Sequence, residues 1–595
     1  MLPRQEKRVL PRQTWSKVFD FALNLFGMSI GPGNVWRFPY LCYKNGGGVF
    51  LIAYFTLLVL VVIPMIILEV SIGQYTAVSV VKAWKLLPVM RGIGYSGPVI
   101  MFFCNVYYPV LLAWALRWFV AGFSTDMPWL KCNNTWNTEN CIPLAADNLK
   151  ENFSSVVTNS AFLNNNNSQT INSSLLDSSS VEEFWREKIL DISSSIEDSG
   201  GVKWDIFACL LVIWILIYFA VWKGIGWTSK VVYVTATLPL GMMIVVLVRG
   251  VTLNGAMKGI SVYLQPNITK LMEVEVWTDA ASQLMFSFRV GCGGLTTLSS
   301  HNEFHHNLIR DALIFCAANA GTSFVSGFAI FSVLGFLADV KNTTVDKVAE
   351  SGPGLVFVAY PTALSFLPWP NFWTVTFFLM VVLLGFDSQF VLQEAFLECT
   401  KDLWPHLYKH KWSSEIAHAI IAFIMFVLGI SMVTRGGMYV LHIFNIFSAA
   451  GWCIYFIVAC ETISIAWIYG HRKWLKNMTR MLGSVPRIAL IISWKFNIPL
   501  IAMALMFYSL YSYKPLTYDK TYLFPLWSNV FGWLTALSSM LWIPGTAIYV
   551  IWKTPGSSFK KKLRNSTKSK LEEDMISVRK SVDVEDTEKQ PNTSI

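Results

Sequence analysis

The run from Phe21 to Phe50, FALNLFGMSIGPGNVWRFPYLCYKNGGGVF, is apolar and long enough to cross a membrane, yet Gly31, Pro32 and Gly33 interrupt it near its middle. A helix broken there leaves carbonyls and amides that lipid cannot satisfy. Such a break is tolerated only where the backbone lines a protein cavity or binds something polar. A second apolar stretch is interrupted in the same way by Ser287 to Gly294, SFRVGCGG, roughly half a membrane domain later. Paired interruptions in the two halves of a membrane chain point to a transport site at the interface of two repeats.

With 595 residues, 54% of them hydrophobic and 14% charged, the chain is too apolar for a soluble protein of this size. Windows of about 20 apolar residues fall near 17–40, 49–73, 92–120, 205–222, 229–249, 280–300, 309–336, 369–398, 413–433, 438–469, 486–512 and 527–552. These give an all-α membrane protein of about twelve spans, with residues 17–552 as the transporter domain, 1–16 as a cytosolic lead and 553–595 as a cytosolic tail. The first residues, with Arg4, Lys7, Arg8 and Arg12, contain no removable signal. Lys82, Lys85, Arg91, Lys223, Lys230 and the cluster from His471 to Arg480 share the side of the N-terminus, so the positive-inside rule puts both termini in the cytoplasm. That asymmetry and the tail run Lys560 to Arg564 account for the net charge of +10, which leaves nucleic-acid binding without support.

Residues 123–203 form one long external loop, rich in Ser and Asn. Sequons begin at Asn133, Asn152, Asn166 and Asn172, each a glycosylation acceptor on the outer face. Of the 10 cysteines, only Cys132 and Cys141 lie in this oxidising environment, which pairs them as a disulfide. The other eight sit in or near spans as small apolar side chains. At the C-terminus, Thr593-Ser594-Ile595 could offer its carboxylate to a strand-adding peptide-binding scaffold, although chance matches of this kind are frequent.

The chain resembles the sodium- and chloride-dependent neurotransmitter and amino-acid symporters, the solute carrier 6 family. The matching pieces are GNVWRFPYLCYKNGGG from Gly33, LEVSIGQY from Leu68, the external PW…C…WNTENC from Pro128, KGISVYLQPN from Lys258, TSFVSGFAIFSVLG from Thr322 and GFDSQF from Gly385. The resemblance runs from about Arg12 to Trp552. It implies two inverted five-helix repeats with broken helices 1 and 6, plus two peripheral helices, a plasma-membrane location, and inward symport of an amino-acid-like solute by alternating access. No cofactor is implied beyond the coupled sodium and chloride, and no enzymatic chemistry.

Carried over residue by residue, the resemblance places a first sodium site on the Ser29 carbonyl, Asn34, Ser287 and Asn319. A second would use the Gly27 and Ile30 carbonyls, Leu384, Asp387 and Ser388. An acid such as Asp387 inside a span is expensive unless a cation or a hydrogen-bonding partner compensates it. Chloride would sit among Tyr54, Gln283, Ser287 and Ser323, residues that could otherwise simply tie helices together. Gly31 stands where amine transporters of the family carry Asp, which favours a substrate that brings its own carboxylate. Tyr108 would bond that carboxylate, and Phe286 would close the pocket from outside. The inner gate would be Arg12 with Asp402, beside Trp15, and Glu394 matches an inner acid. The outer gate keeps Arg37, but its usual acidic partner is Asn445 here, a weaker contact than a salt bridge.

Two departures matter more. Pro32 replaces the family's Leu and removes an amide from the unwound segment. Arg289 stands in the break of helix 6 where relatives have Gly or Ser, and a mid-membrane arginine requires a partner or water. Cys292, where a Phe often lines the pocket, leaves room for its side chain. Arg289 then has three readings: a partner for an additional acid group on the substrate, a built-in cation that replaces one sodium, or the mark of a member that no longer transports and acts as a membrane partner protein.

Overall fold

The computed structural model describes residues 13–15, 18–144, 178–348, 354–410, 412–448, 451–518, 522–569 and 571. Arg12, the sequons at Asn152, Asn166 and Asn172 and the C-terminal residues Thr593 to Ile595 lie outside that set. Among the described residues, nine helices are long and apolar enough to cross a membrane, from Gly48–Thr76 to Arg487–Tyr511. A tenth span is a pair bent by 43°, Leu526–Met540 and Trp542–Lys553. Two further spans, the first and the sixth, fall short of that length because each is split. Span 1 consists of Val18–Ser29, a π-helical turn Gly33–Arg37 and Phe38–Lys44. Span 6 consists of Val274–Phe288 and Gly294–Ser299. The total of twelve matches the apolar windows, and the chain is a multi-pass membrane protein.

Helices dominate because hydrocarbon offers no partner to a backbone amide, so each spanning segment must bond within itself. Spans 1–5 and 6–10 form the two inverted repeats, and spans 11 and 12 lie at the edge. The helices approach closely where side chains vanish. The outer helix Ala256–Leu264 lays Gly259 against the Phe331 carbonyl of span 7, Leu308–Val340, so closely that a methyl group there has no room. Span 3, within Pro88–Ala121, and span 8, Pro370–Leu403, are tied at mid-depth by Gln389 donating to Asn105 Oδ1 at 2.9 Å.

The outer loop is anchored where it is described. Cys132 and Cys141 form the expected disulfide. The segment Ser180–Leu190 lays Trp185 flat on Phe357, with ring centroids 4.4 Å apart. Asn133, the acceptor of the first sequon, is solvent-exposed.

Candidate functional site

The two breaks meet at the centre of the molecule. In span 1 the regular helix ends at Ser29, Ile30 and Gly31 bend, and Pro32 starts the next segment in helical geometry with φ −51°. Proline is at home at a helix start because its missing N–H would have no partner there. Its ring also packs toward Gly385 of span 8. Gly31 is a steric requirement of the site. A Cβ there would lie 2.6 Å from Ser388 Oγ and 3.0 Å from the Tyr108 hydroxyl. Ser388 also donates to the Ile30 carbonyl at 3.3 Å. One turn earlier, the Asp387 carboxylate packs against Gly27, where a Cβ would meet both of its oxygens at 2.9 Å. Asp387 is buried and accepts from Thr235 Oγ1 of span 5 at 2.8 Å. Gly27 and Ile30 thus face Asp387 and Ser388 across spans 1 and 8, and Leu384 is buried on span 8.

On the other side of span 1, polar side chains form a buried ladder. Asn34 Nδ2 donates to Asn319 Oδ1 at 2.5 Å and to Ser323 Oγ at 3.0 Å. Ser287 Oγ donates to Asn34 Oδ1 at 3.3 Å, and Asn319 Nδ2 donates to Ser287 Oγ at 3.0 Å. Gln283 Nε2 donates to the Gly33 carbonyl at 3.1 Å. Among the described residues, the Tyr54 hydroxyl lies beside Ser323 but makes no well-formed hydrogen bond, and Gln283 Oε1 and Ser29 Oγ are likewise buried without a partner. Orphaned buried polar atoms are uncommon in folded proteins and mark sites where another group belongs.

The break in span 6 is built differently. Arg289 caps the helix in the left-handed region at φ 54°, followed by Gly291 at φ 75° and Gly293 at φ 76°. A non-glycine residue held there is uncommon, and such outliers cluster at functional sites. Glu69 of span 2 fixes the unwound backbone by accepting from the Gly291 amide at 2.8 Å. Arg289 is only 5% exposed. Its guanidinium carbon lies 4.8 Å from the Phe286 ring centroid and 5.4 Å from that of Tyr108, with Cys104 Sγ 3.9 Å from Nη1. Among the described residues it forms no ion pair with a carboxylate. The expected partner is therefore replaced by aromatic faces, whose negative quadrupoles attract a cation.

Above Phe286 and Tyr108 opens a cavity of about 210 Å³, walled largely by apolar side chains together with Arg37, His442 and Asn445. Arg37 donates to Ser282 Oγ at 2.8 Å and lies 4.9 Å from the Phe286 centroid. Asn445 is exposed and makes no hydrogen bond among the described residues. At the opposite end, contacts join Gln13 and Trp15 to His301. The Trp15 amide donates to the His301 carbonyl at 3.2 Å, the His301 ring pairs with the Gln13 carbonyl at 2.7 Å, and Trp15 packs edge-on against that ring. Asp402 is held by Lys82 at 2.8 Å and by the Ser79 amide at 2.9 Å. Glu394 is buried and accepts from Thr228 at 3.4 Å.

Residues 12–554 match the model of the sodium:neurotransmitter symporter family. The chain belongs to that family. The "Sodium- and chloride-dependent GABA transporter 2" of Rattus norvegicus is 44% identical over 92% of this chain and 88% of its own length. The creatine transporter of Torpedo marmorata, 42% identical, and the sodium- and chloride-dependent taurine transporter of Bos taurus, 43% identical, each align over 92% of this chain and 86% of their own. The crystal structure of MhsT in complex with L-phenylalanine shares the fold, with a TM-score of 0.61 at 19% identity, covering 83% of this chain and 99% of MhsT. Membership makes the chain a sodium-coupled secondary transporter rather than an enzyme.

Several members of this symporter's site escaped the reading of the sequence. Thr235 and Cys104 are ordinary residues in apolar spans and give no signal. Glu69 does give one, since an acid inside LEVSIGQY meets the same test that singles out Asp387. Ser282, the hydrogen-bond partner of Arg37, becomes visible only once spans 1 and 6 are packed together.

Proposed function

We propose that the chain carries a small amino-acid-like solute inward across the plasma membrane, coupled to sodium and chloride, by alternating access with both termini in the cytoplasm. The observation that carries this reading is the convergence of two broken spans on a buried, oxygen-rich centre. Ser287 Oγ lies 3.3 Å from both Asn34 Oδ1 and Asn319 Oδ1, and a hard cation takes such oxygens as ligands. With the Ser29 carbonyl they form the first sodium site. Asp387 and Ser388, with the Gly27 and Ile30 carbonyls and Leu384, form the second. Chloride binds between Tyr54, Gln283, Ser287 and Ser323, where the free Tyr54 hydroxyl is a ready donor. Gly31, Tyr108, Phe286, Ser388 and Arg289 surround the solute, and Arg37 with Asn445 lies above it. Arg12, Trp15 and Asp402 work the inner gate.

The relatives' substrates, GABA, taurine and creatine, each join an acid to a cationic nitrogen group. Here Arg289 already places a cation at the centre, so the solute presents an acid group to it. The test is uptake of a labelled panel of neutral and acidic amino acids, in cells with verified surface expression, with sodium or chloride replaced. Uptake that disappears without either ion supports the proposal. Uptake that persists without sodium overturns it.

A second reading has one observation in its favour: Arg289 lies over the rings of Tyr108 and Phe286, where the solute must fit. On that reading the chain is a non-transporting membrane partner protein. It predicts no uptake by the native chain and recovered uptake of a neutral amino acid by Arg289→Ser.

A further inference from the structure

The charges from the cavity mouth to the centre are one-sided. None of the described residues that line the cavity is acidic, whereas Arg37 is cationic. Immediately below lies Arg289, and below the helix 1 break Gly31 offers no carboxylate. Arg37 and Arg289 each form no ion pair with a carboxylate among the described residues. Asp279, whose charge reaches Arg37, is already held by Lys44 and Asn45, each at 2.9 Å. Instead both guanidinium carbons rest within 5 Å of the centroid of one ring, that of Phe286. The two cations are therefore less than 10 Å apart, with that ring shared between them.

Holding two like charges this close in a largely dry site is costly unless anions neutralise them. An aromatic face returns only part of the lost hydration, whereas a carboxylate on a guanidinium makes two parallel charge-assisted hydrogen bonds. The separation suits a short diacid, with one acid group against each arginine and Phe286 displaced from between them. A zwitterion of the GABA or taurine type would instead supply one acid group for two arginines.

Building on the symport reading, we infer that the solute is a small diacid, one carboxylate held by Arg289 at the break of span 6 and the other by Arg37 at the floor of the outer cavity. Asn445 then has a purpose. A carboxylate at that position would compete with the substrate's outer acid for Arg37, and asparagine removes the competitor.

The experiment uses the full chain in nanodiscs with sodium chloride and follows its thermal stabilisation by matched pairs: glutamate against glutamine, succinate against succinamate, with GABA as a third reference. The diacid of each pair is expected to bind at least about tenfold more tightly than its half-amide. Arg37→Gln and Arg289→Gln should each reduce the diacid to the level of its half-amide. Asn445→Asp, at an exposed position, should do the same by supplying an internal competitor. Stabilisation by sodium alone reports that each variant is folded. Equal binding within the pairs overturns the diacid inference and leaves symport of an amino-acid-like solute standing. Failure of every compound on the native chain, with GABA bound by Arg289→Ser, overturns both.

Discussion

The breaks in spans 1 and 6 occupy equivalent places in the two repeats, yet they solve the same problem by opposite means. Span 1 opens at Ile30 and Gly31, with Gly27 one turn before, and the polarity around it comes from the Asp387 carboxylate, Ser388 and the amides of Asn34 and Asn319. Its chemistry is that of oxygens looking for a cation. Span 6 opens at Arg289, which carries a cation into the same centre on a left-handed backbone. Two unwound helices of like origin therefore give one half of a site that is rich in acceptors and another half that is rich in positive charge. Repeat symmetry explains the geometry of a transport centre, but its electrostatics are set by individual residues at the breaks.

The largest expected effect lies on the span 1 side. Asp387→Asn removes the one carboxylate that faces Gly27 and keeps the shape. Taking a charge from a buried ion-binding pair costs about 3–5 kcal/mol, so sodium-dependent uptake should fall by about 100-fold or more, with surface expression preserved. The readout is a sodium titration of uptake or of thermal stabilisation. If sodium affinity is unchanged, Asp387 belongs only to the hydrogen bond from Thr235, and the acceptor-rich description of this half fails.

How much of this was legible beforehand divides along the same line. Twelve spans, both breaks and the disulfide follow from apolar length, glycine and proline placement and cysteine position, because lipid permits few alternatives. Gly31 of span 1 and Asp387 of span 8, both singled out in the sequence, lie against Tyr108, Ser388 and Gly27 in the structure. What the sequence hid was partnership. Arg289 required a partner or water, and the structure lays it on Phe286 and Tyr108. Arg37 was expected opposite Asn445 and instead bonds Ser282, a residue 245 positions away. Charge can be read along a chain, but the face against which a long side chain lies depends on three-dimensional packing between repeats.

A middle-sized effect sharpens the contrast through backbone space. In Gly31→Ala the new methyl would press on Ser388 Oγ and the Tyr108 hydroxyl at 2.6 and 3.0 Å. Overpacking of this kind costs about 1–3 kcal/mol, so solute affinity should drop about tenfold while total expression holds. In Gly291→Ala, on span 6, the methyl first meets side-chain methyls of Val458 and Ile454, at 3.2 and 3.4 Å, with the Ile454 carbonyl at 3.8 Å. There the strain lies in φ 75°, which costs an L-residue about 1–2 kcal/mol. Its loss should show in thermal stability rather than in affinity. Equal affinity losses in the two variants would mean that both breaks contact the solute directly.

The smallest effect concerns what holds the span 6 break open. Glu69 accepts the Gly291 amide at 2.8 Å through one oxygen, and its other oxygen is buried without a hydrogen bond among the described residues. Glu461 lies close enough for the two carboxyl groups to influence each other. If the role of Glu69 is to accept one backbone hydrogen bond, Glu69→Gln retains the acceptor and should change uptake by no more than about two- to threefold, within the net worth of one such bond. Glu69→Leu leaves the Gly291 amide unsatisfied and should cost about 1–3 kcal/mol, visible as a lower melting temperature. A Gln variant as damaged as the Leu variant would show that the negative charge itself is needed. Glu69 would then be the acidic counterpart, on the span 6 side, of Asp387 on span 1, and the two halves of the centre would be more alike electrically than Arg289 alone makes them.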